Sequence, residues 1–211
     1  MKTKVMSGTD STMQKAAVAR EDEFRAGTWQ LLGNLLAAPP SEDVLALLKG
    51  IAEPGSERPR DAIADAWATL RIAAERAQPL ALEQEYQDVF IGVGGGEITP
   101  YASWYLTGSL LERPLIELRQ DLDSLGIERQ QGVSEPEDHA AAVCEVMAVV
   151  INAPDVDFDW QQQFFERHIH PWMASLFREL QEAPSAGFYK AVGCLGEAFV
   201  ELEQRYFSMP S

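Results

Sequence analysis

The chain has 211 residues, of which 33 are acidic and 17 are basic, so its formal net charge at pH 7 is −16. This length corresponds to one domain or two small ones, because domains usually span about 100 to 200 residues. The charge argues against nucleic acid and anionic membrane surfaces as partners, because each phosphate contact needs Lys or Arg. It favours a cationic partner, or it serves solubility alone.

The first 20 residues are polar, and we expect residues 1–20 to form a flexible N-terminus ahead of a folded domain at 21–211. They contain no apolar run of the about 7 to 15 residues that a signal peptide requires. The most apolar window, 140–153, contains Glu145 and Asn152 and falls short of the about 20 residues of a membrane span. We therefore expect a cytoplasmic protein without stable membrane insertion.

Apolar residues recur at helical spacing almost throughout, which predicts an all-α bundle of about nine to eleven helices without a sheet. The first helix ends before Pro39–Pro40, and Ser41 caps a second helix that ends at Lys49–Gly50. A loop follows at 53–60. The next two helices are marked by apolar residues at one-face spacing: Ile63, Trp67, Leu70 and Ala74, then Leu82, Tyr86, Val89 and Phe90.

The fourth helix runs into a glycine cluster formed by Gly92, Gly94, Gly95 and Gly96. The cluster lacks the dinucleotide fingerprint and the P-loop lysine, which disfavours a phosphate-binding loop. Glycine adopts backbone conformations that other residues avoid, so the cluster predicts a hinge near the middle of the chain. N- and C-terminal helical subdomains would then meet near 92–100, or alternatively near 126–134.

Three aromatic residues lie directly after this cluster, within 101–105. If residues 101–110 are helical, Tyr101 and Tyr105 share one face and Trp104 is offset from them. One interpretation is a helix start that buries apolar surface. The other is a groove for an apolar peptide, since Tyr and Trp combine a large contact area with a polar tip.

Pro114 suits the first turn of the following helix, and Gly126 suits the position after its end. Ser134 and Glu137 have the spacing of a capping box, which predicts a further helix start at Ser134. His139 fits that start poorly, because a cation is unfavourable near a helix N-terminus, so we expect its pKa to be lowered. A neutral His139 beside Asp138 would be a binding residue, an acid–base group or a structural residue.

The remaining metal-ligating and nucleophilic residue types form no recognisable site. His168 and His170 are two residues apart and would point in different directions on a helix, which disfavours a shared metal. Cys144 and Cys194 lack the spacing of zinc or redox motifs, which predicts two buried, reduced thiols. We therefore predict neither a metal site nor catalytic residues.

The last helix has the most regular pattern, with apolar residues at alternating steps of four and three: Phe188, Val192, Leu195, Phe199, Leu202 and Tyr206. Such spacing is typical of a helix packed in a bundle. Negative charge is concentrated elsewhere, because residues 83–145 contain 13 acidic and 3 basic side chains, a net charge of −10.

The motifs resemble, in type and order, those of the TorD/DmsD/NarJ family of redox-enzyme maturation chaperones, and most closely its TorD-like branch. The residues that carry the resemblance are Glu85-Tyr86-x-x-Val89-Phe90-x-Gly92, the glycine cluster, Pro100-Tyr101-x-Ser103-x-Tyr105, Gly126, Glu135-Pro136-x-Asp138-His139, Phe165-x-x-His168-x-x-Pro171-Trp172 and Phe188-Tyr189. The resemblance extends from residue 24 to residue 206, nearly the whole chain.

This resemblance implies a non-enzymatic, all-helical chaperone that binds the twin-arginine leader of a molybdenum-containing oxidoreductase precursor, such as a formate dehydrogenase. The chaperone would hold the precursor in the cytoplasm until the molybdopterin cofactor is inserted. The leader-binding residues implied by the resemblance are Tyr86, Phe90, Tyr101, Ser103, Tyr105, Glu135, Pro136, Asp138 and His139. We expect no cofactor, although the resemblance implies weak guanine-nucleotide binding, and we expect a monomer or a dimer domain-swapped through the glycine hinge.

Two other functions stay open at this point. Asp138 and His139 could serve a small helical hydrolase as an acid–base pair, although the sequence shows no accompanying nucleophile or metal site. A general helical adaptor would bind peptides without a preference for paired arginines.

Overall fold

The computed structural model describes residues 8–52, 61–92, 94–128 and 135–209, with side chains from residue 18 onward. These ranges contain ten α-helices, one π-helix and no β-strand, which confirms the predicted all-α bundle. The helices are α1 (Gly8–Ala37), α2 (Glu42–Lys49), α3 (Ala62–Arg76), α4 (Pro79–Tyr86), α5 (Ala102–Thr107), α6 (Arg113–Ser124), α7 (Ala140–Asn152), α8 (Phe158–His168), α9 (Met173–Glu182) and α10 (Phe188–Phe207).

The first helices follow the predicted boundaries. Helix α1 ends before the two prolines, and the Ser41 hydroxyl accepts the backbone N–H of Val44 at 3.3 Å to cap α2. At its other end α1 begins at Gly8 and so overlaps the segment predicted to be flexible, of which residues 1–7 lie outside the described part. The predicted loop at 53–60 also lies outside it.

The glycine cluster forms a tight turn against the end of the fourth helix. Helix α4 continues as a π-helix over Gln87–Ile91, which ends at Gly92 with φ of +53°. The chain then folds back, and the Ile98 N–H donates to the Val89 carbonyl at 2.9 Å. A Cβ on Gly96 would lie 2.6 Å from that same carbonyl oxygen, so the close approach requires glycine. Hinge motion at this turn stays a prediction.

Helix α6 ends as predicted, with Gly126 at φ of +67° just beyond it. The predicted capping box is wrong: α7 begins at Ala140 with His139 as its N-cap, and Ser134 lies outside the described residues. The reason is tertiary, because the backbone before Ala140 pairs with the residues that precede α5. That pairing holds His139 in an extended conformation, with ψ of 138°.

The core is built around α1 and α10. Helix α1 packs against α7, and α10 packs against α3 and α9. The predicted apolar face of α10 is confirmed, since Phe188, Val192, Leu195 and Phe199 are all buried. Cys144 is buried as predicted and Cys194 is partly buried, and both are free thiols. No helix in the described part of the chain is long and apolar enough to cross a membrane.

Candidate functional site

Two motifs that are far apart in sequence meet where α5 and α7 begin. Tyr101 and His139 form an isolated antiparallel bridge. On either side of it, the Ala102 N–H donates to the Asp138 carbonyl at 2.9 Å and the Ala140 N–H donates to the Pro100 carbonyl at 2.8 Å. The structure therefore brings the Pro-Tyr-x-Ser and Glu-Pro-x-Asp-His motifs together.

Asp138 is the buried acidic residue of this site, with a relative exposure of 1%. Its Oδ2 atom accepts two hydrogen bonds from Ser103, one from the backbone N–H at 2.9 Å and one from the hydroxyl at 2.5 Å. Its Oδ1 atom has no hydrogen-bond partner among the described residues. A buried acceptor without a partner costs about 1 to 3 kcal/mol and more when charged, and a donor that reached this atom would remove that cost.

Asp138 lines a small, mostly apolar cavity of about 140 Å³. The other residues that line the cavity are Tyr101, Leu110, Leu111 and Pro136. The sequence motifs predicted three of these five residues, Tyr101, Pro136 and Asp138, and did not indicate the two leucines. Their only signal was a pair of apolar residues in a short loop after Gly108, a pattern that is common on protein surfaces.

Tyr101 connects the cavity to an exposed carboxylate. Its hydroxyl donates to Glu135 Oε2, and its ring packs edge-on against His139 with the centroids 5.0 Å apart. Partial burial, followed by this carboxylate, raises the pKa of Tyr101 well above its ordinary value. The phenol therefore stays neutral and acts as a hydrogen-bond donor.

His139 serves as the N-cap of α7, where its Nδ1 atom accepts the Ala141 N–H at 3.1 Å. Burial lowers the pKa of His139, while the carboxylates of Glu135 and Asp138 oppose the change. The predicted direction is therefore confirmed, with burial as the main cause. No hydrogen bond joins the side chains of Asp138 and His139 in the described structure, so the acid–base pair that a hydrolase needs is not formed.

The two tyrosines of the aromatic motif contact different parts of the molecule. Tyr105 donates to Glu179 Oε2 at 2.6 Å and packs against Trp172, with the ring centroids 5.5 Å apart. Burial, followed by the Glu179 contact, raises the pKa of Tyr105. Between the tyrosines, Trp104 has 44% of its surface exposed. Only Tyr101 lines the cavity with Asp138, while Tyr105 faces α9.

Tyr86 and Phe90 are buried beneath the surface. The Tyr86 hydroxyl donates to the Ala37 carbonyl at 2.8 Å, at the end of α1. The Phe90 ring lies 5.1 Å from the rings of both Tyr86 and Tyr189, measured between centroids. These contacts give both residues a clear packing role, and their part in peptide binding stays a prediction.

The acidic excess of residues 83–145 is only partly available to a ligand. Glu137 pairs with Arg119 at 2.7 Å, and Asp121 pairs with Arg167 at 2.9 Å. Asp121 also contacts the buried His168, whose Nε2 lies 2.6 Å from Oδ2. His168 therefore ties α8 to α6. No group of three metal-ligating side chains is found among the described residues.

A family model described as the nitrate reductase delta subunit matches residues 56–178, more than half of the chain. The chain belongs to this family. The finding confirms the resemblance to the TorD/NarJ group that the ordered motifs predicted.

Curated relatives of this delta-subunit family member are chaperones. The chaperone protein TorD of Vibrio atlanticus is 27% identical over 180 residues, which cover 80% of this chain and 83% of that protein. TorD of Vibrio cholerae is 25% identical over 174 residues, which cover 78% of this chain and 79% of that protein. These relatives are named as chaperones and not as enzymes.

A solved structure shares the fold of this family member. It is a candidate redox enzyme maturation protein from Archaeoglobus fulgidus, with a TM-score of 0.52 and 18% sequence identity. The alignment covers 85% of this chain and 93% of the other. The helical architecture therefore extends across nearly the whole length of both proteins.

Proposed function

We propose that this protein is a system-specific maturation chaperone that binds the twin-arginine leader of a molybdoenzyme precursor in the cytoplasm. It would hold the precursor until the molybdopterin cofactor is inserted, and it would need no cofactor of its own to do so. The family and the curated TorD relatives support the chaperone class. The geometry and charge of the site support a leader peptide as its ligand.

The observation that carries this proposal is the unpartnered, buried Oδ1 atom of Asp138, a residue that lines the apolar cavity. A guanidinium offers five N–H donors in a planar fork that matches a carboxylate. The cavity volume of about 140 Å³ is close to that of an engineered protein cavity that binds benzene, about 150 Å³, so a planar guanidinium fits. A hydrogen bond between charged groups contributes about 1.5 to 3 kcal/mol.

The surroundings of the cavity suit an arginine-rich ligand. Glu135 is exposed beside it and supplies a second carboxylate at the edge. The net charge of −10 over residues 83–145 favours the approach of a cationic peptide. Attraction between exposed charges is screened within about 8 Å at physiological ionic strength, so binding should weaken as salt is added.

The test is calorimetry with a synthetic leader peptide that contains two adjacent arginines, using the whole protein and its Asp138→Asn variant. We expect the Kd to rise about 10-fold or more in the variant, because one charge-assisted hydrogen bond is lost. Asparagine retains an oxygen that can accept the Ser103 bonds, so the fold should persist. Asp123→Asn, which removes one exposed charge from the same acidic region, is the matched control and should change the Kd little.

Peptide variants separate this function from a general adaptor. Replacing both arginines by lysine should weaken binding, because an ammonium cannot reproduce the planar fork. Equal affinity for the arginine and lysine peptides would favour the adaptor. Absence of binding to every arginine-pair peptide at low salt would refute the proposed function.

A further inference from the structure

The α5–α6 loop, residues 108–112, presents two leucines beside the Asp138 carboxylate. Leu110 is 49% exposed and Leu111 is 65% exposed, and both line the same cavity as Asp138. A single exposed leucine is ordinary on a protein surface. These two leucines line the same cavity as a buried carboxylate that has one oxygen without a partner among the described residues, so they form an apolar wall next to a charged residue.

The loop holds these leucines in a defined conformation. Leu111 has φ of +60°, a region that branched residues seldom adopt and that the surrounding structure must therefore enforce. At the start of the loop, the Thr107 hydroxyl accepts the Ser109 N–H at 3.3 Å. At its end, the Glu112 N–H donates to the Ser103 hydroxyl oxygen at 3.3 Å.

Ser103 also donates its hydroxyl hydrogen to Asp138 at 2.5 Å. One fully buried hydroxyl therefore contacts both the carboxylate and the loop that carries the leucines. The spacing between the charged acceptor and the apolar wall is set before any ligand arrives. Such preorganisation favours a ligand with a cationic group and an apolar segment close together.

We propose that Leu110 and Leu111 are the specificity-determining surface for the apolar segment that follows the paired arginines of the leader. This inference rests on the proposed function. An arginine that reaches Asp138 places the next residues of its chain against the two leucines. Exposed apolar residues on the two helices that the loop joins, namely Trp104, Leu106 and Ile116, offer further contact area.

A leader fits this surface better than a second copy of the protein. Each copy carries a net charge of −16, so two copies would bring like charges together at this acidic region. A leader brings the opposite charge in its arginines and an apolar segment directly beside them. Burying that segment on the leucines removes apolar surface from water on both partners.

Two peptide probes test the inference with the whole protein. Both begin with the same adjacent arginines; one continues with an apolar segment of about 12 residues, and the other continues with serine and glycine over the same length. We expect the wild-type protein to bind the apolar probe at least about 10-fold more tightly than the serine–glycine probe. The burial of a single leucine side chain is enough to raise the affinity about 10-fold.

The decisive variant is Leu111→Gly, which removes the side chain and retains a residue that tolerates φ of +60°. We expect the affinity for the apolar probe to fall about 10-fold and the affinity for the polar probe to stay unchanged. Leu110→Ala should act in the same direction. Leu80→Ala, at a leucine of α4 that is 81% exposed, is the matched control and should leave both affinities unchanged.

Three outcomes would overturn the inference. If wild type prefers the apolar probe and both Leu110→Ala and Leu111→Gly retain that preference, the inference fails while the proposed function stands. If Leu47→Ala weakens binding of the apolar probe and the two loop variants do not, the apolar segment occupies the larger cavity between α1, α2 and α3. If wild type binds neither probe, the proposed function fails and the inference fails with it.

Discussion

At the scale of single residues, two neighbours in the Glu-Pro-x-Asp-His motif have separate roles. Asp138 accepts hydrogen bonds from Ser103 through Oδ2 and has no partner for its buried Oδ1 among the described residues, whereas His139 caps α7 through its Nδ1 atom. The cap requires an unprotonated Nδ1, because only the lone pair can accept the Ala141 N–H. The stability of α7 at its N-terminus therefore depends on the protonation state of one histidine.

This dependence predicts a pH effect on stability. The ordinary pKa of histidine is 6.5, and burial lowers the pKa of His139 in the folded protein. Below about pH 6.5 the unfolded chain therefore binds more protons than the folded chain, so the free energy of unfolding falls as the pH falls. In His139→Asn the side-chain oxygen retains the N-cap without titrating. The decrease in the free energy of unfolding at low pH should therefore be smaller in this variant.

Chemical denaturation of both proteins at about pH 7 and about pH 5 measures the difference. Burial also lowers the pKa of His168, but this residue is present in both proteins, so its contribution cancels in the comparison. Identical pH dependence of the two unfolding free energies would contradict the prediction.

At the scale of secondary structure elements, α10 begins without a cap from its own sequence. Its N-cap residue is Gly187, which has no side chain to accept the first N–H groups. Glu85 on α4 takes that role from 102 to 104 positions away: Oε1 accepts the N–H groups of Gly187 and Tyr189 at 2.7 Å, and Oε2 accepts that of Phe188 at 3.2 Å. A carboxylate here also complements the positive end of the helix dipole.

We expect Glu85→Ala to lower the free energy of unfolding by about 1 to 3 kcal/mol. Three backbone N–H groups would lose their acceptor, and the positive end of the helix dipole would lose a nearby negative charge. Urea denaturation followed by circular dichroism measures this change. Glu83→Ala, at an exposed position on the same helix, is the control and should change stability by less than about 0.5 kcal/mol. Equal effects of the two substitutions would show that the Glu85 cap contributes nothing.

Helix boundaries were predictable where the cap is local. Ser41 before α2 and Gly126 after α6 act on residues within one turn, so their sequence pattern is sufficient. The start of α7 and the cap of α10 were not predictable, because each depends on a partner from another segment. Ala140 pairs with Pro100, and Gly187 is capped by Glu85.

At the scale of the whole molecule, a buried ion pair joins the first helix to the last. Arg25 donates from Nε to Glu203 Oε1 at 2.6 Å and from Nη2 to Oε2 at 3.1 Å. Trp29 donates to the same carboxylate at 3.0 Å, and Gln161 on α8 accepts from the guanidinium at 3.3 Å. These partners satisfy two charges that are otherwise costly to bury.

We expect a large loss of stability when this ion pair is broken. Glu203→Ala removes the carboxylate that accepts two hydrogen bonds from the buried Arg25 guanidinium. Among the described residues this leaves the guanidinium only the partly exposed carboxylate of Asp22 at 3.0 Å, which should lower the free energy of unfolding by about 3 to 5 kcal/mol. Thermal and chemical denaturation measure the loss. The comparison is Arg113→Ala, which breaks a solvent-exposed pair with Glu117 and should cost less than about 1 kcal/mol. A loss at Glu203 no larger than at Arg113 would show that the buried pair does not stabilise the bundle.

From the sequence alone one obtains the helical class, the family and a few helix boundaries, namely the end of α1 and both ends of α2 and of α6. Helical spacing and caps act between neighbouring residues, and the order of motifs is a property of the chain alone. The motifs also predicted Asp138, Tyr101 and Pro136 as binding residues, and these three line one cavity.

What these residues can bind depends on the contacts that folding creates. Ser103 and Asp138 are 35 positions apart; folding brings them into contact, leaves one carboxylate oxygen of Asp138 without a partner among the described residues, and places Asp138 in one cavity with Leu110 and Leu111. Burial and hydrogen-bond partners depend on every segment that packs around a side chain. For that reason the buried acceptor and its apolar wall exist only in the folded protein.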